Sequence, residues 1–204
     1  MATQATAEER LRTVERLKEL FADASPLGKQ ALANTLRDLK SQASDQVTWL
    51  PVESAGRTGA RVGKVSELTI IVPLVPGAAA RLRAFLKLVH GNPAAGADKV
   101  GTLHDMRFVF LENDTKLLFA TAYDGDWDAY IDDFATKIPD YLDIIDEGWE
   151  GWPGIRSPQA KDYLAKHQIT AEGWYVAHPD LTVAEIHRLK RIGKAVDELL
   201  DKIG

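Results

Sequence analysis

Apolar residues recur every three or four positions along residues 7–22, with charged residues between them. This spacing predicts an amphipathic helix. A second helix is expected after Ser25 and Pro26, because serine is a common N-cap and proline is favoured at the first helical position. The pattern therefore predicts an N-terminal helical extension over residues 1–52.

The next segment has a different composition. Glycine, serine and arginine dominate residues 53–64, and no run of apolar residues interrupts them. Such a composition is typical of flexible connections. We therefore predict a mobile linker at residues 53–65, followed by one folded domain at residues 66–204.

Beyond the linker, two-residue alternation predicts strands and a 3.6-residue period predicts helices. The short turn Asn113-Asp114-Thr115 is expected to join two strands in a hairpin, and Pro139 to kink or split the helix that Asp126 caps. In chain order, the predicted elements are a strand at 67–75, a helix at 76–91, strands at 102–112 and 116–123, a helix from 127, a short helix at 158–167, a strand at 171–179 and a closing helix at 180–203.

The order of these elements is β-α-β-β-α-β, which predicts an α+β fold of the ferredoxin-like type with an antiparallel sheet. Its helices would cover one face of the sheet and leave the other bare. A second subunit could cover that face, giving a dimeric α+β barrel with a cavity. The N-terminal helices could cover it instead, which would favour a monomer.

Composition narrows the classes of function. The chain of 204 residues has a formal net charge of −5 and lacks cysteine. A negative field repels phosphate backbones, so nucleic acid is not an expected partner. Without cysteine there is no disulfide and no thiolate ligand or nucleophile. No run reaches ~18 apolar residues, so we expect no membrane span and a cytoplasmic location.

Three motifs within residues 66–204 carry a resemblance. They are a His-x-x-Arg strand with His104 and Arg107, a Tyr-Asp-Gly-x-Trp turn at 123–127, and a Tyr-x-x-Asp-Phe helix at 130–134. The region resembles an uncharacterised bacterial group of dimeric α+β barrel proteins, distantly similar to dye-decolourising peroxidases, chlorite dismutases and antibiotic-biosynthesis-type monooxygenases. Some members of the group are encoded beside, or joined to, haem peroxidases.

The resemblance implies a homodimer whose cavity holds haem or an aromatic ligand, and a haem peroxidase as a candidate partner. This implication is an analogy between folds. None of the haem-ligand motifs of the related families is recognisable in the chain.

The strand at 102–112 holds the first candidate site. Alternation puts His104 on the apolar face with Met106, while Asp105 and Arg107 share the open face. Arg107 could bind an anion there, or form a structural ion pair with Asp105. At the start of the strand, His104 could act as a proton shuttle or ligand, or simply bond to the backbone.

Aromatic residues cluster towards the C-terminus. Trp149 and Trp152 lie in a glycine-rich loop that could close over a cavity, and Trp174, Tyr175 and His178 lie on the predicted last strand. Together they would suit a flat ligand that is partly anionic. The alternative is that residues 147–170 pack over the helices as additional core.

Two functions follow. One is a small-molecule oxidoreductase, with haem-dependent peroxidase or monooxygenase activity as candidates, acting on an aromatic or lipid-derived ligand. His104 and Arg107 would then be catalytic. The other is a non-catalytic ligand-binding protein or assembly partner of a haem peroxidase. The residues alone do not decide between an enzyme and a binding protein.

Overall fold

The computed structural model describes residues 7–42, 52–89 and 96–203, and the chain divides into two compact units between residues 51 and 52. The helices are α1 (Ala7–Leu20), α2 (Pro26–Gln42), α3 (Ala78–Val89), α4 (Ala97–Val100), α5 (Trp127–Lys137), α6 (Pro139–Asp146), α7 (Ala160–His167) and α8 (Val183–Ile203). The strands are β1 (Val52–Ser54), β2 (Ala60–Val62), β3 (Val65–Pro73), β4 (Leu103–Leu111) and β5 (Lys116–Asp124).

The N-terminal unit contains the two helices that the sequence predicts. The Oγ of Ser25 accepts a hydrogen bond from the N–H of Gly28 at 3.2 Å and so caps α2, which begins at Pro26. In the part of this unit that the structure describes, no apolar side chain is fully buried, and Leu27 is 79% exposed. The described residues of the unit therefore bury no core of their own.

The second unit is built on one antiparallel sheet with the strand order β1-β2-β3-β5-β4. β5 lies between β3 and β4 and pairs with both along their length. Val65 of β3 lies opposite Asp124 of β5, and Leu111 of β4 lies opposite Lys116 of β5. The predicted hairpin is therefore present, and β3 and β4 run parallel with β5 between them, as in a ferredoxin-like sheet. The α+β fold class is confirmed.

The segment predicted as a linker differs from the prediction. Within residues 53–65, β1 and β2 form a hairpin that pairs with β3. The Glu67 carboxylate accepts the N–H of Ala60 at 3.1 Å, and Gly59 adopts a φ of +89° next to the Glu67 carbonyl. The glycines of this segment lie in tight turns, where a positive φ is needed. A hairpin with glycine-rich turns therefore has the same amino-acid composition as a flexible linker.

The strand predicted at 171–179 is absent from the described structure, where these residues form no regular element. Just before this segment, a bridge joins Ile70 to Gln168, and the N–H of Ile169 donates to the Thr69 carbonyl. The N–H of Ala171 donates to the buried Glu67 carboxylate and not to a strand. The N–H of Ala171 is thus bound to a side chain, and the start of β3 pairs with β2.

Helices cover one face of the sheet. Side chains from β3 and β5 pack with α3, α5, α6 and α7 in a single core. Within it, the rings of Tyr123 and Tyr130 stack with centroids 3.7 Å apart, and the Tyr130 hydroxyl donates to Thr121 at 2.9 Å. Asp126 caps α5 through the N–H of Asp128, and Pro139 begins α6, so the predicted cap and helix break are both confirmed.

α8 forms as predicted, and within the described residues of its own unit most of its apolar stripe stays exposed. Within the helix, its first residue, Val183, is the one that is buried. Six apolar residues further along the helix are 44–71% exposed: Leu189, Ile192, Val196, Leu199, Leu200 and Ile203. Separately, none of the described helices combines the length and the apolar character needed to cross a bilayer.

Candidate functional site

His104 and Asp124 form a side-chain pair at the rim of the sheet. The register between β4 and β5 shifts between Leu103 and Asp105, which leaves His104 in an irregular position beside the end of β5. His104 Nε2 lies 2.7 Å from Asp124 Oδ1, and the two side chains are 18% and 11% exposed. A carboxylate on one ring nitrogen fixes the orientation of the imidazole and leaves Nδ1 to take or give a proton.

Asp124 also reaches the start of α8. Its Oδ2 accepts the N–H of Val183 at 2.9 Å. The helix is capped in addition by Thr182 and Glu185, because Thr182 Oγ1 accepts the Glu185 N–H and the Glu185 carboxylate accepts the Thr182 N–H at 2.8 Å. This reciprocal arrangement is a capping box. The histidine pair and the first turn of α8 are thus joined through one carboxylate.

Acidification is expected to weaken this cap. The hydrogen bond from Lys64, together with those from Thr182, lowers the pKa of Glu185 from its ordinary 4.5 to about 2. Because the folded pKa is lowered, the stabilising contribution is present above pH 4.5 and is lost as the pH falls towards 2. Unfolding measured from neutral pH downwards should therefore show the difference between wild type and Glu185→Gln shrinking over this window.

Lys64→Met provides the control for the acid effect. Lys64 Nζ lies 2.8 Å from the Glu185 carboxylate, and its hydrogen bond is the largest cause of the lowered pKa. In the Lys64→Met background, the change in stability caused by Glu185→Gln should be smaller and should vary less with pH. A stability difference between wild type and Glu185→Gln that stays constant from neutral pH down to about pH 2.5 would contradict the assignment.

Arg107 occupies the open face, as the alternation predicts. It pairs with Asp105 at 3.1 Å, and the two side chains are 60% and 44% exposed. Met106 and Phe108 pack on the opposite side against the core. An ion pair this exposed contributes about 0–1 kcal/mol. The structure gives His104 and Arg107 different partners, and a catalytic role for either remains a prediction.

The aromatic loop packs into the core. Trp149 is 2% exposed, and its ring lies 5.5 Å from Trp152 and 6.4 Å from Tyr163. Burial raises the pKa of the Tyr163 hydroxyl to about 12, and this hydroxyl donates to the Glu150 carbonyl at 2.8 Å. The indole N–H groups of both tryptophans have no acceptor among the described residues. Substrate binding by Trp149 and Trp152 remains a prediction.

The other predicted binding residues lie in the irregular segment 171–182. Trp174 is half-buried, His178 is exposed, and Tyr175 is 80% exposed. Within the described ranges, no ring contact joins them to the cluster of Trp149, Trp152 and Tyr163. The structure therefore divides the predicted aromatic site into two groups, and a shared ligand remains a prediction.

A small cavity lies between the sheet and helices α5, α6 and α7. Its volume is about 20 Å³, room for roughly one water molecule. Among the described residues that line it, Asp146 alone is charged, and the others are apolar or aromatic, including Phe119 and Trp149. Ligand pockets measure ~300–1,000 Å³. The residues described around this cavity do not fit haem, because the space is too small and no histidine is among them.

Asp146 itself is a buried acid at the end of α6. It is 3% exposed, and among the described residues no hydrogen bond to its carboxyl group is found. Burial, assisted by the nearby charge of Asp143, raises its pKa well above the ordinary value. The group therefore favours the neutral acid, a form that can donate a proton or a hydrogen bond.

Sequence reasoning missed both Asp124 and Asp146. The hairpin register could have placed the end of β5 near His104, since residue 111 lies opposite residue 116. Asp146 follows Leu142 by four residues and Ile145 by one, which puts it on the edge of the buried face of α6. Neither the hairpin register nor the helix position shows whether these carboxyl groups have hydrogen-bond partners.

Metal ligation and likeness to other proteins add no further assignment. Across the described ranges, no three or more His, Asp or Glu side chains are grouped to hold a metal ion. Comparisons of the chain with protein-family models, curated proteins and solved structures gave no match. The resemblance to the dimeric α+β barrel group thus remains a prediction.

Proposed function

We propose that this protein is a non-catalytic assembly protein, which works by associating with further copies of its own chain through the apolar stripe of α8. The observation that carries the proposal is the exposure of that stripe: Leu189, Ile192 and Val196 are each 44–47% exposed on a helix that is otherwise strongly charged. A continuous exposed apolar patch marks an interaction site more often than a solvated surface.

The stripe is long enough to act as an interface. From Leu189 to Ile203 the apolar residues repeat at intervals of three and four, which is the spacing of helices that pack side by side. Fourteen rises of 1.5 Å give a seam of about 21 Å. The first turn is held to the sheet by Asp124, so the seam projects from an anchored base.

Val196→Asn is the direct test of this surface. The substitution places a polar amide in the middle of the seam, and a lost valine contact is expected to weaken association at least about tenfold. His187→Asn is the matched control, because it introduces the same residue on the opposite, polar side of α8. The masses of the full-length chains should be measured by sedimentation across a concentration series.

The outcomes separate assembly from the alternatives. Association that is weakened by Val196→Asn and kept by His187→Asn supports the proposal. A wild-type chain that is monomeric throughout the series overturns it. So does a monomer whose stability, and not its mass, changes with Val196→Asn, because α8 would then pack within its own chain.

A second candidate rests on the His104–Asp124 pair. The 2.7 Å contact supports proton transfer at His104, which the oxidoreductase predicted from the resemblance would need. If a turnover is found that His104→Gln and Asp124→Asn both abolish while association is unchanged, this candidate is favoured over assembly alone.

A further inference from the structure

The charges of α8 are arranged in two blocks. Arg188, Lys190, Arg191 and Lys194 precede Val196, whereas Asp197, Glu198 and Asp201 follow it, and Glu185 and Lys202 lie outside these two blocks. The side chains of both blocks are exposed. Within one helix this order places like charges four residues apart, Lys190 with Lys194 and Asp197 with Asp201, which is unfavourable. One favourable pair, Lys194 with Glu198 at 3.7 Å, joins the two blocks, so the stability of the isolated helix accounts for their junction and not for the blocks themselves.

We propose that α8 pairs in antiparallel orientation with the α8 of a second copy of this chain. The inference rests on the proposed assembly function and deepens it, because it names the element that each copy contributes and the orientation of the pair. In this orientation the basic half of each helix lies beside the acidic half of the other. In a parallel pair, each block would instead face its own like charge.

The apolar seam sets the register of the antiparallel pair. Leu189, Ile192, Val196, Leu199 and Ile203 occupy the seam positions of a heptad pattern. If Ile192 of one copy lies opposite Val196 of the other, then Leu189 lies opposite Leu199. This follows because residue numbers rise along one helix as they fall along its antiparallel partner, so facing residues have the same sum. The two innermost layers are then aliphatic on both sides, and each is repeated by the twofold symmetry.

The same register matches the charges. Lys190 comes within one residue, a rise of about 1.5 Å, of the level of Asp197 in the second copy. Arg191 likewise comes within one residue of the level of Glu198 in the second copy. In the heptad, Lys190 and Asp197 occupy b positions and Arg191 and Glu198 occupy c positions, outside the e and g positions next to the seam. Opposite charges thus lie at matching heights on both sides of the pair, and they attract through the field of the two blocks and not through direct contact.

The flanks of the seam also suit a close approach. Gly193 and Ala195 lie beside the seam near its centre, and a Cβ added at Gly193 would meet no atom within 4 Å. Small residues at this point let two helix backbones come together. A second copy is therefore favoured as the occupant by apolar register, charge and side-chain size together.

Charge reversal in the full-length chain tests the orientation. Lys190→Glu/Arg191→Glu gives α8 a net negative charge, and Asp197→Lys/Glu198→Lys gives it a net positive charge. Each double variant alone is expected to self-associate at least about tenfold more weakly than wild type, measured by sedimentation at low salt, where surface charges act most strongly. Mixing the two double variants should restore association, and so should the chain carrying all four substitutions.

Each result decides the question. Two weakened double variants and a restored quadruple variant establish the antiparallel pair. If neither double variant is weakened although Val196→Asn is, α8 is an interface but the orientation is wrong, and the assembly function survives. If wild type is monomeric, both proposals fail. Helix content, followed by far-UV circular dichroism, verifies that every variant is folded, and a quadruple variant that is folded but monomeric also overturns the pairing.

Discussion

Replacing Trp127 with alanine is expected to lower the free energy of unfolding by about 3–5 kcal/mol. Trp127 is fully buried at the first position of α5. Its indole N–H donates to Gln168 Oε1 at 2.7 Å, and its backbone N–H donates to the carbonyl of Ala55 at 2.8 Å. The guanidinium of Arg57 lies 5.4 Å from the centre of its ring. The side chain thus joins α5 to the β1–β2 turn and to the bridge at Gln168.

The measurement is urea unfolding followed by circular dichroism. Trp127→Phe should fall between wild type and alanine, since it keeps most of the ring but leaves Gln168 Oε1 without its donor. Tyr175→Ala is the control for loss of a large aromatic side chain, and at 80% exposure it should change stability by no more than about 0.5 kcal/mol. An alanine variant at position 127 that stays within about 1 kcal/mol of wild type would contradict the anchoring role.

Asp146→Asn is expected to stabilise the protein at neutral pH, by about 1–3 kcal/mol. The folded state raises the pKa of Asp146 through burial and the charge of Asp143. As the pH rises above the unfolded value of about 3.9, the unfolded chain releases this proton first. The free energy of unfolding of the wild type therefore falls as the pH rises, until the pH passes the folded pKa. The asparagine variant lacks this carboxyl group and does not show this fall.

The stability difference between the two chains is the quantity to follow. It should be small below about pH 3.5, where the carboxyl group is protonated in both states, and grow as the pH is raised. Asp98→Asn, at an exposed position of α4, is the matched control and should remain close to wild type. A destabilised Asp146→Asn variant at neutral pH would show that the carboxylate has a partner that stabilises its charge.

Prediction from the sequence succeeded where the signals were local. The β4–β5 hairpin, the Asp126 cap and the break at Pro139 each depend on residues that are close together in the chain. Their side chains determine turns and helix ends whatever surrounds them. The α+β class followed from the order of these elements.

The errors arose where distant residues decide the structure. Residues 53–65 fold as strands because β3 and the Glu67 carboxylate lie beside them, and the sequence of the segment itself is that of a linker. Residues 171–179 have the composition of a strand, yet Glu67 takes the N–H of Ala171. One buried carboxylate, that of Glu67, is contacted by both segments.

The candidate site was predicted only in part. Alternation placed Arg107 correctly on the open face with Asp105. The partner of His104 depends on the shifted register at Leu103, which no periodicity reports. The raised pKa of Asp146 likewise depends on everything packed around α6, so it could be found only in the folded structure.

The two ends of the sheet have a consequence for solubility. An edge strand with free N–H and C=O groups can recruit strands of other chains and start aggregation. Here one edge is β1, which is only three residues long. The other is β4, whose irregular start and charged Asp105 and Arg107 oppose such recruitment. Arg107 thus has a structural role that needs no ligand, since it helps to prevent strands of other chains from adding to the edge of the sheet.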